Sequence, residues 1–181
     1  RFVFLGSSCI YPKFATQPIQ ESEILSGKLE ETNEAYALAK LSGMRLTRAY
    51  REQFGFDWVS AMPTNLYGPR DNFDPNTSHV LPALINKFHA AKVQGSEQVV
   101  LWGTGSPRRE FMFSADFARA IRLIIEEYSE PEHINVGVGE DVSIRELSEL
   151  IAEIVNYKGK IAWDNSRPDG TPRKLLSNLK L

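Results

Sequence analysis

The chain has 181 residues, 42% of them hydrophobic and 24% charged, with a formal net charge of -2. This is the make-up of an ordinary globular protein with its own core, and no long run of one charge sign offers a surface to nucleic acid or anionic lipid. A single cysteine excludes an internal disulfide and fits a reducing compartment; no stretch approaches the roughly 20 apolar residues that span a bilayer or resembles a signal peptide, so a cytoplasmic protein with no membrane or nucleic-acid partner is expected.

Phe2 to Leu5 is a continuous apolar run stopped by Gly6, the pattern of a strand covered on both faces. A Pro-containing loop follows to about Thr32. Asn33 reads as a helix start, with apolar positions at Ala35, Leu38, Ala39, Leu46, Ala49, Tyr50 and Phe54 and a stop at Gly55. FDWVSAM reads as a second strand, closed by Pro63 and the turn-rich NLYGPRDNF. Next come a helix over about Val80 to Val93, the strand QVVLWG, the loop GTGSPRR and a short strand in REFMF. SADFARAIRLIIEEY is an amphipathic helix and HINVGV a strand. Ser143 and Glu146 form a capping box for IRELSELIAEIV. KIAWD is the last strand, ahead of a basic tail containing Pro and Gly.

Strands alternating with helices predict an α/β fold with a mainly parallel sheet. The expectation is the C-terminal portion of a doubly wound, Rossmann-like sheet plus a smaller α/β substrate-binding lobe. Residues 1–70 would form the first part and 71–181 mainly the second, with about 111–137 returning to the main sheet. The chain opens on Arg1 inside an apparent strand and stops at SNLKL. A piece of a longer protein is therefore expected.

In parallel sheets, ligands sit at the carboxyl ends of strands, the position that GSSC and PTNLYG occupy. Tyr36 and Lys40 are four residues apart and share a helix face. A phenol is a weak acid, with an ordinary pKa of about 10, and a nearby ammonium favours its ionised form. With a serine hydroxyl to complete the hydrogen bonds, such a pair can give a proton to a carbonyl that receives hydride. The same spacing also arises by accident on a solvated helix. Cys9 has two readings, a small buried hydrophobe or a reactive thiol. His79 is either a polar residue at a helix start or an acid-base group; His89, within a helix, and His133, at a strand start, are assigned to structure. Trp102 is either core or a ligand contact. Arg108 and Arg109 lie on a loop, where a planar guanidinium suits phosphate oxygens.

Seven segments in order, GSSCIYP, TNEAYALAK, MPTNLYGPRDNF, SHVLPALI, LWGTGSPRREF, HINVG and PDGTPRKLL, resemble the extended short-chain dehydrogenase/reductase superfamily. Within it, they are similar to the GDP-4-keto-6-deoxymannose epimerase-reductases, over essentially the whole chain. The resemblance implies NADP(H) as cofactor, GDP-4-keto-6-deoxymannose as substrate, no metal, and a homodimer with the helix from Asn33 as its candidate face. It implies Ser7, Tyr36 and Lys40 as the reductase group, with Ser8 as the alternative serine. Cys9 and His79 match the pair that inverts the two carbons beside the ketone. Gly6, Ser7, Ser8, Lys40, Pro63, Thr64, Asn65, Leu66 and His79 match cofactor-lining positions. Lys87, Trp102, Arg109 and Asp169 match substrate positions, with Lys174 a further candidate; Lys87 stands where other members carry Arg. Dehydratases of the superfamily place an acidic pair after the serine, where this chain has Cys9 and Ile10.

Overall fold

A computed structural model describes residues 1–75 and 77–181. In chain order the elements are β1 (Phe2–Leu5), α1 (Glu34–Phe54), β2 (Trp58–Pro63), β3 (Asn65–Tyr67), α2 (Val80–Gln94), β4 (Gln98–Trp102), β5 (Arg108–Arg109), β6 (Phe111–Phe113), α3 (Ser114–Glu127), β7 (Ile134–Val136), β8 (Val142–Ser143), α4 (Ile144–Val155), β9 (Lys160–Asp164) and β10 (Arg173–Lys174). They divide into two units. The first holds Arg1–Leu66, Glu110–Asp141 and Arg173–Leu181, the second Tyr67–Arg109 and Val142–Pro172. Among the described residues no helix is long and apolar enough to cross a membrane.

The first unit is built on a parallel sheet of order β1-β2-β7, with Phe2 opposite Trp58 and Ala61 opposite Ile134. Successive side chains of a strand point to opposite faces, and β2 serves two cores in this way. Val59 and Ala61 pack with Ile134, Val136 and the α3 residues Phe117, Ala120 and Ile124. Met62 packs on the other side with Ile10, Tyr11, Leu176 and the α1 residues Leu41 and Met44. The sheet is thus doubly wound, and each such aliphatic side chain withdrawn from water contributes about 1.5–3 kcal/mol. In β1, Val3 packs against the core on one face of the sheet and Phe4 against the core on the other, while Phe2 and Leu5 are exposed.

α1 also corrects the sequence reading. Its buried residues are Ala37, Leu41, Met44 and Thr47, whereas Leu38, Leu46, Tyr50 and Phe54 are exposed. The helix carries two apolar stripes at helical spacing, and periodicity cannot say which one meets the sheet. Gly55 ends the helix in the left-handed conformation, as its position predicts.

A buried polar network supports the loop after β1. Tyr11 donates its hydroxyl to Asn135 Oδ1 at 2.6 Å and lies 2.9 Å from His133 Nε2. Because that hydroxyl is spent on Asn135, its oxygen accepts from an Nε2–H tautomer of His133. Asn135 donates its backbone N–H to Glu21 Oε1 at 3.0 Å and its side-chain amide to Ile19 O at 3.0 Å. Burial, together with Lys180 and Arg45, pushes His133 down to about 4, and burial raises Tyr11 well above the usual phenol range.

In the second unit, β4 and β9 pair in parallel from Gln98 opposite Lys160 to Trp102 opposite Asp164, and β5 pairs antiparallel with β8. α2 packs against α4, and Phe88 meets the Tyr157 ring at 5.6 Å. The capping box read from the sequence is formed: Ser143 Oγ accepts from the Glu146 N–H, and Glu146 Oε2 accepts from the Ser143 N–H. REFMF is not one strand. β5 and β6 are separated by Glu110, which is fully buried.

Candidate active site

In the first unit the chain leaves β1 at Leu5 and turns at once. Ser8–Ile10 forms a single 3-10 turn, with Ser7 as its N-cap and Ser7 Oγ accepting from the Cys9 N–H at 3.2 Å. Ser7 and Ser8 therefore lie at the start of a turn, beyond the end of β1. The turn is what buries Ser8 and leaves Ser7 partly exposed. The same turn presents the free thiol of Cys9, which is only partly buried. Its sulfur receives the Asn33 side-chain amide at 3.4 Å and the Lys174 ammonium at 3.5 Å.

Asn33 precedes α1 as its N-cap, but its side chain makes no capping bond. The amide turns instead to Cys9, and Asn33 Oδ1 is buried without a hydrogen-bond partner among the described residues. In the first turn of α1, Tyr36 is 50% exposed, so its phenol is accessible. Lys40 donates to Leu5 O at 3.0 Å, which fixes its ammonium at the carboxyl end of β1, 5.8 Å from the centre of the Tyr36 ring. An accessible hydroxyl beside a held cation can deliver a proton to a bound carbonyl oxygen.

The carboxyl end of β2 supplies the remaining predicted positions of this unit. Gly6 is buried at the end of β1, with its N–H on Ala61 O at 2.9 Å. Pro63 closes β2, and Leu66 packs against the core on the α3 side. Thr64 Oγ1 and Asn65 Nδ2 both donate to the backbone oxygen of Glu110, at 3.1 and 2.8 Å.

The second unit holds the other group. Trp102 is 68% exposed, which removes the core reading for it. With Arg109, Asp169, Val80 and Pro107 it lines a cavity of about 230 Å³. Asp169 accepts from the Thr104 N–H and from Thr104 Oγ1, each at 2.8 Å. Gly103, at φ +76°, is needed there because a Cβ would stand 2.2 Å from Asp169 Oδ1. Trp102 also borders a larger, mostly apolar cavity of about 680 Å³ with Lys87, Leu84 and Trp163, where Lys87 donates to Val100 O at 2.9 Å. His79 is the exposed N-cap of α2 and makes no side-chain cap bond. It belongs to the second unit, Cys9 to the first.

Sequence reasoning missed two groups. Asn33 was read as a cap and nothing more. Glu110 was not read at all, because it closes the charged run Arg108-Arg109-Glu110.

The family model described as "NAD dependent epimerase/dehydratase family" matches residues 1–137. GDP-L-fucose synthase 1 of Arabidopsis thaliana is 58% identical over 181 residues, covering 100% of this chain and 56% of that protein. GDP-L-fucose synthase of Sinorhizobium fredii is 54% identical over 181 residues, covering 100% of this chain and 58% of that protein. The crystal structure of a GDP-L-fucose synthetase from Naegleria fowleri bound to NADP superposes with a TM-score of 0.91 at 34% identity, over 98% of this chain and 57% of that one. The chain thus spans little more than half the length of the relatives it matches. With a doubly wound sheet, a Tyr-Lys pair at its carboxyl edge and a family match over residues 1–137, the chain belongs to the NAD dependent epimerase/dehydratase family.

Proposed function

We propose that these residues carry the acid-base and reductase chemistry of a GDP-L-fucose synthase, which turns GDP-4-keto-6-deoxymannose into GDP-L-fucose. The observation that carries this reading is the end-to-end match to proteins of that name, with Cys9, Tyr36 and Lys40 gathered at the carboxyl end of β1. The ketone at carbon 4 acidifies the hydrogens on carbons 3 and 5, because the carbanion delocalises as an enolate. Inversion needs a base on one face and an acid on the other, and a thiol and an imidazole titrate near enough to neutrality to serve. Cys9 and His79 take these parts.

NADPH would supply hydride to carbon 4. The residues that would hold it are Gly6, Ser7, Ser8, Lys40, Pro63, Thr64, Asn65, Leu66 and His79; those of the first unit stand at the carboxyl ends of β1 and β2, where parallel sheets bind dinucleotides. Ser7 hydrogen-bonds the ketone oxygen, Tyr36 gives it a proton, and Lys40 keeps positive charge beside the phenol. Arg109, Trp102, Asp169 and Lys87 bind the nucleotide diphosphate and sugar. The exposed α1 stripe of Leu38, Leu46 and Tyr50 is the proposed homodimer face, and a free thiol in an enzyme of this kind fits the cytoplasm.

The test uses a full-length enzyme carrying this segment, with substrate and NADPH in deuterated water. Two solvent deuteriums, at carbons 3 and 5 of GDP-L-fucose, are expected. Cys9→Ser suppresses this exchange far more than it suppresses reduction of an already epimerised ketone. Exchange that survives unchanged returns Cys9 to packing, and product without deuterium makes the protein a simple reductase.

A further inference from the structure

We infer that Glu110 is a positioning residue of the Cys9 site, clamping the segment that brings Lys174 to the sulfur and the start of β3, which carries Asn65. The inference rests on the functional reading of Cys9 given above. It starts from a residue that has no business in a core. Glu110 is fully buried, yet it belongs to a charged run, Arg108-Arg109-Glu110, that reads as solvated. Isolated acidic side chains are almost never buried unless their oxygens are satisfied.

All the polar groups of Glu110 are engaged, and together they reach three segments of the first unit. Oε1 accepts from the Val138 and Gly139 backbone N–H groups at 2.6 and 2.7 Å, and Oε2 from the Leu176 N–H at 3.1 Å. The Glu110 N–H donates to Lys174 O at 3.3 Å. Its own oxygen receives Thr64 Oγ1 and Asn65 Nδ2. Gly137 is what admits the carboxyl group: a Cβ there would lie 2.4 Å from Oε1 and 2.7 Å from Oε2. Glu110 therefore holds residue 174 through its backbone N–H and residue 176 through its carboxyl group, on either side of Leu175. Lys174, held at its carbonyl, sends its ammonium to Cys9 Sγ at 3.5 Å. Glu110 touches no reacting atom itself; it acts through Lys174 and Asn65.

A cation at this distance stabilises negative charge developing on sulfur, so the rate at which Cys9 is alkylated reports where Lys174 stands. Glu110→Gln keeps the shape but turns one acceptor into a donor, which must then face a backbone N–H at residue 176 or at 138–139. The experiment measures iodoacetamide modification of the Cys9 peptide by mass spectrometry, at one pH, in the full-length enzyme without substrate. Four forms are compared: wild type, Glu110→Gln, Lys174→Met and the double variant. Each single variant is expected to react about tenfold more slowly, the lower end of what the loss of one charge-assisted hydrogen bond costs. The double variant should be no slower than Lys174→Met alone, because both changes remove the same contact.

A purely structural role gives a different pattern, with Glu110→Gln lowering the melting temperature while the Cys9 rate stays at or above that of the wild type. That result, or rates that multiply in the double variant, overturns the inference. Should Glu110→Gln not fold, Gly137→Ala carries the same comparison, since it leaves the carboxyl group in the chain and crowds it out of its seat. The readout needs no turnover. A clamp that fails is thus distinguishable from a mistaken assignment of the reaction, which the deuterium experiment tests separately.

Discussion

The first unit buries acidic and imidazole side chains, and the second does not bury any among the described residues. In the first, Glu21, Thr64, Glu110, His133 and Asn135 are buried, and their hydrogen bonds tie together segments far apart in sequence. In the second, Trp102 and Asp169 lie at the surface, and its ion pairs, such as Arg108 with Glu146, are solvated. Exposed pairs of that kind add little stability, whereas a buried polar group left without its partner is costly. The proposed proton-transfer residues Cys9, Tyr36 and Lys40 belong to the first unit, and the proposed ligand contacts Arg109, Trp102 and Asp169, together with His79, to the second. Proton transfer needs donors and acceptors held to a fraction of an ångström, and a buried network can hold the turn that carries Cys9 in that way. Seating a charged, many-jointed ligand needs a guanidinium and aromatic faces that water, and then ligand, can reach.

The sharpest way to break this comparison is to remove one proton donor from the first unit. Tyr36→Phe deletes the phenol without disturbing packing, since the ring is half exposed. NADPH oxidation with an already epimerised ketone should fall by about 10²- to 10⁴-fold, the usual weight of general acid catalysis, with KM for the nucleotide sugar unchanged. Normal NADPH consumption would leave the Tyr36 and Lys40 pair as an ordinary helix face. The matching change in the second unit is Arg109→Ala. It should raise KM by about ten- to hundredfold and leave kcat nearly alone, as expected when a charge-assisted contact to phosphate is lost from ground and transition states alike. A drop in kcat at constant KM would erase the proposed distinction between the units.

How much of this was legible in the sequence depends on how local each signal is. The ends of α1 and α4 follow from Gly55 and from the Ser143 and Glu146 box, each a matter of a few neighbouring residues. The α/β fold with a parallel sheet followed from the alternation of strands and helices. The buried face of α1 did not, because Ala37, Leu41 and Met44 share the helix with a second stripe at the same period. Asn33 satisfied the rule for a cap, yet its amide found the sulfur of Cys9, 24 positions earlier in the chain. The burial of Glu110 depends on backbone N–H groups 28, 29 and 66 residues away. No window of sequence contains them, and the charged neighbours Arg108 and Arg109 point the reader the wrong way. Long-range backbone partners are what single-sequence patterns omit.

The smallest expected effect tests the buried network directly. His133 stays neutral in the folded protein until about pH 4, because burial and the cations Lys180 and Arg45 oppose a further charge. The unfolded chain takes up that proton near pH 6.5. Between those values the unfolded state binds more protons, so stability falls as the pH drops through this window and is independent of His133 above it. The loss is about 1.4 kcal/mol at pH 5.5 and approaches about 3 kcal/mol at pH 4. Carboxyl groups add their own pH dependence, and a His133→Gln variant shares it, so the difference between the two proteins isolates the imidazole. The free energy of urea unfolding at pH 7.5 and 5.5 measures it: the decrease between the two values should be smaller in His133→Gln by that amount. Equal decreases would mean that the imidazole is as accessible to protons in the folded protein as in the unfolded one. The hydrogen bond from His133 to Tyr11 would then not be closed to water, and the first unit would hold its polar groups no more tightly than the second.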